Sequence, residues 1–330
     1  MLLPLLHRWS RVTLLTALLL LGGQRVFAER PYEESQKKHS WFSLTRPARD
    51  TAAAQLEYAH DLRARGKLRK AGKAYRALVI TWPGSAQAPE AQHGYAQMLD
   101  ARGKLLDAFD EYEILMTRFV GGFPYDAVLQ RQFEIGQSVM NRRRGSFLLF
   151  GGFQAPERAV PLFEAVVRNG PRSSFAPEAQ YLVGKAYELS EQLELAVVAY
   201  MTAQHRYPLS PFAAKAAFGR AHCLYRLTEE YPNDEEALEQ AWAGVVVFLS
   251  TYPKAEEAEV AQAYRDTLLR HRAKAAYDKA VFYDRNARRP EAARQAYESF
   301  VQLFPNSEWT GVARVRIDEL SASVEKPHEN

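Results

Sequence analysis

His222 and Cys223 are the one histidine–cysteine neighbourhood in this 330-residue sequence, and Cys223 is its single cysteine. A thiolate beside an imidazole is the minimum for nucleophilic catalysis, or the start of a zinc site. On a helix, adjacent residues project about 100° apart, so this pair cannot easily share a metal or act as a dyad. One cysteine also excludes an internal disulfide and any multi-cysteine zinc site. The remaining histidines, His7, His39, His60, His93, His205, His271 and His328, are scattered, and none forms a His-x3-His pair around a glutamate. No Gly-x-Ser-x-Gly, phosphate-binding loop or dinucleotide fingerprint occurs. The expectation is a chain with no catalytic residue, no metal ligand and no cofactor, in which Cys223 is a buried structural thiol.

The most unusual local composition is RRRGSFLLFGGFQAP over residues 142–156. Arg142, Arg143 and Arg144, followed by Phe147, Phe150 and Phe153, combine cations with large apolar anchors, the residue types that dominate protein interfaces. Two readings stand open for this interruption. Either it protrudes and offers these six residues to a partner, or the phenylalanines fold back onto the body and the arginines are solvated. The acidic stretch Glu229, Glu230, Asp234, Glu235 and Glu236 reads as a solvated turn.

These side chains must be held by something, and the pattern around them is helical. From Thr51 onward, apolar residues recur at three- and four-residue steps, with Gly and Pro near the ends of the runs. The runs are also self-similar. Ala71, Tyr75 and Pro83 share a spacing with Ala159, Phe163 and Pro171, with Ala196, Tyr200 and Pro208, and with Ala293, Tyr297 and Pro305. Two copies are partial: Ala108 and Tyr112 are followed by Val120 in place of proline, and Ala241 and Pro253 flank Val245 in place of the aromatic. Upstream of three copies lies a partner run: Gln55–Gly66, Gln92–Gly103 and Gln180–Tyr187. This is the tetratricopeptide pattern, in which small residues let two helices cross closely and an aromatic fills the space against the next unit. No single unit buries its apolar face alone, so the units must stack.

The alanine-to-alanine steps are 37, 51, 37, 45 and 52 residues, so some units carry insertions. Residues 142–156 and 228–238 interrupt two turns, and residues 255–285 read as one long helix. Residues 309–320 read as a capping helix. The expected fold is all-α: about six helix–turn–helix units over residues 51–320 in a right-handed superhelical solenoid, with residues 321–330 as a disordered tail.

The first 28 residues read as an export signal. Arg8 and Arg11 precede a short apolar run, Val12–Leu21, and Val26-Phe27-Ala28 sets small residues at the −3 and −1 positions of a cut between Ala28 and Glu29. Residues 29–50 read as an extended lead-in. Loss of residues 1–28 removes Arg8, Arg11 and Arg25 and no acid, bringing the formal charge from +4 to +1. A near-neutral exported chain offers no field to hold nucleic acid. Membrane association is then expected only through partners or an uncleaved signal.

The region from Thr51 to Leu320 resembles the outer-membrane assembly lipoprotein family of BamD. The likeness rests on FLLFGGF at Phe147–Phe153, the Pro-x-x-Ala start at Pro156–Ala159, the long helix Ala261–Arg285 and the Ala293/Tyr297/Pro305 unit after it. The resemblance implies a periplasmic, outer-membrane-associated scaffold in β-barrel protein assembly that docks on a BamA-like insertase or another assembly subunit. An exported coordinator of cell-wall or Tol-Pal machinery is the alternative. The family's lipidated N-terminal cysteine has no counterpart after the apolar run, and six units stand where the family typically has five.

Overall fold

The computed structural model describes residues 46–147 and 150–324. The expected export signal, its cut at Ala28–Glu29, most of the lead-in and the last six residues lie outside the described residues. The described residues divide into two compact units, one ending at Val128 and one starting at Leu129.

The first unit holds α1 (Ala52–Ala64), α2 (Leu68–Thr81), α3 (Ala88–Asp100) and α4 (Leu105–Arg118). Helix α5 (Tyr125–Asn141) starts at its end and lies mostly in the second unit. There follow strands β1 (Arg143–Phe147) and β2 (Phe150–Gln154), then α6 (Val160–Asn169), α7 (Ala176–Leu189) and α8 (Leu193–Arg206). Helices α9 (Ala213–Glu230), α10 (Glu235–Thr251), α11 (Ala258–Val281), α12 (Pro290–Leu303) and α13 (Thr310–Val324) complete it. The described chain is thus six helix pairs and a closing helix, the all-α tetratricopeptide architecture. One element is added to it. The interruption at 142–156 is an antiparallel hairpin, pairing Arg143 with Gln154, Arg144 with Phe153, Ser146 with Gly151 and Phe147 with Phe150. Helix periodicity carries no signal for a two-stranded insertion this short.

Two recurring turns build the pairs. Inside a pair, the chain reverses through one left-handed residue, Gly66 at φ +68° and Gly103 at φ +70°. The next amide reaches back into the helix, Lys67 N–H to Leu62 C=O at 2.9 Å and Lys104 N–H to Leu99 C=O at 3.0 Å. Between pairs, the repeat proline sets the turn. It bars the preceding residue from helical backbone, so Trp82, Gly170, Tyr207, Tyr252 and Phe304 all cap their helices near φ −130° and ψ 60°. Phe119, followed by Val120, instead adopts φ −114° and ψ 124°. The chain then turns through Gly121 and Gly122, at φ +85° and +76°.

The core is a file of aromatics lodged against small residues. Tyr75 of α2 lies over Gly94 of α3, where a Cβ would sit 2.8 Å from its ring. Phe163 of α6 lies over Gly136 of α5, with a corresponding distance of 2.8 Å. Tyr200 of α8 is clasped on two sides, by Gly184 of α7 and Gly219 of α9, at 2.5 and 2.6 Å. The repeat alanines Ala71, Ala108, Ala159, Ala196, Ala241 and Ala293 are fully buried, and so, within 2%, are Tyr75, Tyr112, Phe163, Tyr200, Val245 and Tyr297. Pro83, Pro171, Pro208, Pro253 and Pro305 are exposed and act on the backbone alone.

Candidate functional site

Cys223 lies fully buried on α9, and burial pushes its thiol up to about 12, so it is neither accessible nor ionised. His222 turns away from it. Its Nδ1 lies 2.8 Å from the Tyr264 hydroxyl of α11, and its ring stacks on Phe218 and Tyr264. Tyr225 stacks on the other part of Tyr264 with centroids 4.1 Å apart. Desolvation holds His222 below its ordinary range, so the ring is neutral and serves to join first helices of neighbouring pairs. Among the described residues no group of three His, Cys, Asp or Glu side chains is placed to hold a metal ion.

The hairpin brings Arg143, Arg144, Phe147, Phe150 and Phe153 onto ten residues of paired strand, with the exposed Arg142 just before it. The acidic stretch is placed differently from its expected role as a turn. Helix α9 runs on through Glu230, and Glu235 and Glu236 open α10, leaving residues 231–234 as the turn. Asp234 caps α10, its Oδ1 accepting from the amides of Glu236 at 2.9 Å and Ala237 at 3.1 Å.

Near the C-terminus, the long helix α11 passes into a π-helical turn, Phe282–Asn286. Arg316 of α13 reaches it with a two-pronged bridge, Nε to Asp284 Oδ2 at 2.7 Å and Nη2 to Oδ1 at 2.8 Å. Its Nη1 also meets Glu319 at 2.6 Å. The Asp284 side chain is 7% exposed, and Arg316 holds its carboxyl below the usual carboxylate range. The closing helix is therefore fastened to the turn that ends the long one.

Sequence reasoning missed a groove of about 490 Å³ formed by α6, α7 and α8. Val167 of α6, Gln180 and Val183 of α7, and Leu195, Val198 and Ala199 of α8 line it. Glu164, Arg168, Thr202 and Arg206 stand along it. Leu195 and Val198 are exposed apolar residues. They lie off the α8 core stripe of Leu193, Ala196, Tyr200 and Ala203, which was the available signal.

Gln180 marks the groove as unlike the corresponding places in other pairs. Gln55 donates to Ala74 C=O at 2.9 Å while its Oε1 accepts from the amides of Ala48 and Arg49. Gln92 donates to Glu111 C=O at 3.0 Å, and Gln132 accepts from Asn169 at 3.2 Å. Gln180 occupies the same place in α7 and is 7% exposed, yet its amide has no hydrogen-bond partner among the described residues.

Comparison with known proteins gives one family match. Residues 177–325 match the family model YfiO, described as an outer membrane lipoprotein; the match spans α7 to α13. Solved tetratricopeptide structures are similar to this chain at low identity and low TM-score. One is the C-terminal part of a repeat protein from Cytophaga hutchinsonii, 16% identical, covering 92% of this chain and 97% of that one, TM-score 0.31. Another, from Parabacteroides merdae, is 14% identical over 82% and 98%, TM-score 0.30. At such scores they add nothing to the helix pairs themselves. Among curated proteins no match was found. The chain is thus built of tetratricopeptide-type helix pairs, and its C-terminal part, residues 177–325, is similar to that outer-membrane lipoprotein family.

Proposed function

We propose that this protein is a non-catalytic periplasmic scaffold serving the assembly of β-barrel proteins into the outer membrane, docking on a BamA-like insertase or another assembly subunit. The observation that carries the reading is the match of residues 177–325 to an outer-membrane lipoprotein family, on a chain built of stacked helix pairs. Such pairs present side chains from successive helices on one fixed surface, so a partner segment docks without ordering the scaffold first. No helix among the described residues is long and apolar enough to cross a membrane, and residues 1–28 are taken as an export signal removed before Glu29. The hairpin, with Arg142, Arg143, Arg144, Phe147, Phe150 and Phe153, is the partner-contact element of this proposal.

In-cell photocrosslinking from position 142, with mass spectrometry of the captured chain, tests the reading. A barrel-assembly component is the expected product, lost on charge reversal of Arg143 and Arg144. Capture of cell-wall synthases instead, or of no envelope protein, sinks the assignment. The intact mass of the exported protein checks the cut before Glu29.

A further inference from the structure

The turn joining α11 to α12 combines an irregular backbone with an unneutralised cationic surface. The π-helical residues Phe282–Asn286 lead to Arg288, which is held left-handed at φ +50°, a conformation that costs any residue with a Cβ. The backbone is nonetheless fixed. Ala287 N–H donates to Phe282 C=O and Arg289 N–H to Tyr283 C=O, each at 2.9 Å, and Arg316 holds Asp284 from α13. Strain that the surroundings impose in this way collects at functional positions.

What the turn displays is arginine. Arg285, Arg288 and Arg289 are exposed, as is Lys279 on the last turns of α11. Arg288 and Arg289 make no ion pair among the described residues, and Arg285 only adds to the field at Asp284, which Arg316 already bridges. Asp278 is taken by Lys274. Within residues 278–291 this leaves Glu291 against three arginines and Lys279. Phe282, in the same turn, is 55% exposed. The turn also projects past its neighbour. Arg272 of α11 pairs with Glu239 of α10, Nε to Oε1 at 2.7 Å, and α10 begins at Glu235. Beyond that level the chain runs roughly ten more residues to Asn286, about 15 Å past the turn between α9 and α10.

We propose that this turn docks on a membrane surface carrying anionic phospholipid. Arg285, Arg288 and Arg289 meet the headgroup phosphates, which match the guanidinium fork, and the Phe282 ring enters the apolar boundary beneath them. Charge and an apolar ring on a pre-set turn are the two signals that surface attachment needs. The inference goes beyond the scaffold reading and requires neither the barrel-assembly assignment nor the hairpin.

The test sediments the exported full chain with sucrose-loaded vesicles of phosphatidylcholine, alone or with about 30 mol% phosphatidylglycerol. Binding is expected to be at least about tenfold tighter on the anionic vesicles and to fall as salt rises from about 0.05 to 0.5 M. The triple variant Arg285→Glu, Arg288→Glu, Arg289→Glu should bind no better than to the neutral vesicles, and Phe282→Ser should weaken binding about fivefold. A control triple, Arg69→Glu, Lys70→Glu, Lys73→Glu, makes the same change of net charge at exposed positions of the first unit and should leave binding unchanged. Should the first triple lower the melting temperature, glutamine at the same three positions gives the reading in its place. Equal binding to both vesicle types, full binding by the turn variants, or an equal loss in the control triple overturns the proposal. Photocrosslinking from position 288 that captures an acidic protein, with no vesicle binding, assigns the turn to a protein partner and overturns it too. Vesicle binding that survives a failed crosslink from position 142 upholds the turn while removing the barrel-assembly assignment.

Discussion

Tyr200 shows how much one side chain does here. Its ring is held between Gly184 and Gly219, and its hydroxyl donates to Glu188, which also takes Lys185 Nζ at 2.5 Å. The repeat spacing alone identifies Tyr200 as a core residue. It does not show why position 184 is glycine where Ala59 and Ala96 stand in earlier pairs. The reason is steric: a methyl there would meet the ring at 2.5 Å. Gly184→Ala is expected to cost about 1–3 kcal/mol by overpacking, and Tyr200→Phe about 1 kcal/mol through the lost hydrogen bond; urea unfolding of both variants checks this. Cys223 makes a simpler test. Its thiol, buried and pushed up to about 12, should stay unmodified by a disulfide-exchange reagent at pH 8 in the native protein and react fully in denaturant. Fast native labelling would show that the α9 core opens.

At the scale of elements, the turns carry the information. Glycine at 66 and 103 supplies the left-handed backbone, but the same conformation is adopted by Glu191 at φ +57° and Arg288 at φ +50°. Those two turns were invisible as turns because their residue types do not announce a positive φ. Tertiary packing imposes the conformation over the local preference. Arg288 is exposed, so Arg288→Gly should raise stability by up to about 1 kcal/mol, while Gly66→Ala should lower it by a similar amount; thermal melts give both signs. The bridge of Arg316 to Asp284 has a pH signature. Because the folded carboxyl lies below its unfolded range, its stabilisation is complete above about pH 4 and is lost as pH falls through the lowered value. Asp284→Asn should destabilise α13 by about 1–2 kcal/mol at pH 7 and by progressively less in acid, read by hydrogen exchange of the α13 amides.

On the scale of the whole molecule, the pairs form two compact units, each with its own buried cores. Repeat stability is a sum of local terms and neighbour contacts. The hairpin is a strand pair inserted between α5 and α6, outside the helix-on-helix packing of the pair. Replacing residues 143–154 by a short Gly-Ser turn should change stability by less than about 1 kcal/mol and leave helical circular dichroism intact, while removing the partner crosslink. A large loss of stability would mean that the hairpin is part of the core.

The periodicity is legible in the residue order alone: the recurring alanine and aromatic core positions, the prolines between pairs, and from them about six pairs and a closing helix. Those follow from local chemistry, since a proline excludes helix before it and a small residue admits a ring wherever the spacing recurs. Only the tertiary structure decided the rest. Whether residues 142–156 form a loop or a hairpin depends on pairing between strands, and whether Arg288 turns left-handed depends on the helices it joins. Gln180 is indistinguishable in sequence from Gln55 and Gln92. Its freedom appears only when the helices around it are in place, because a hydrogen bond is made by proximity across the fold and not by residue type.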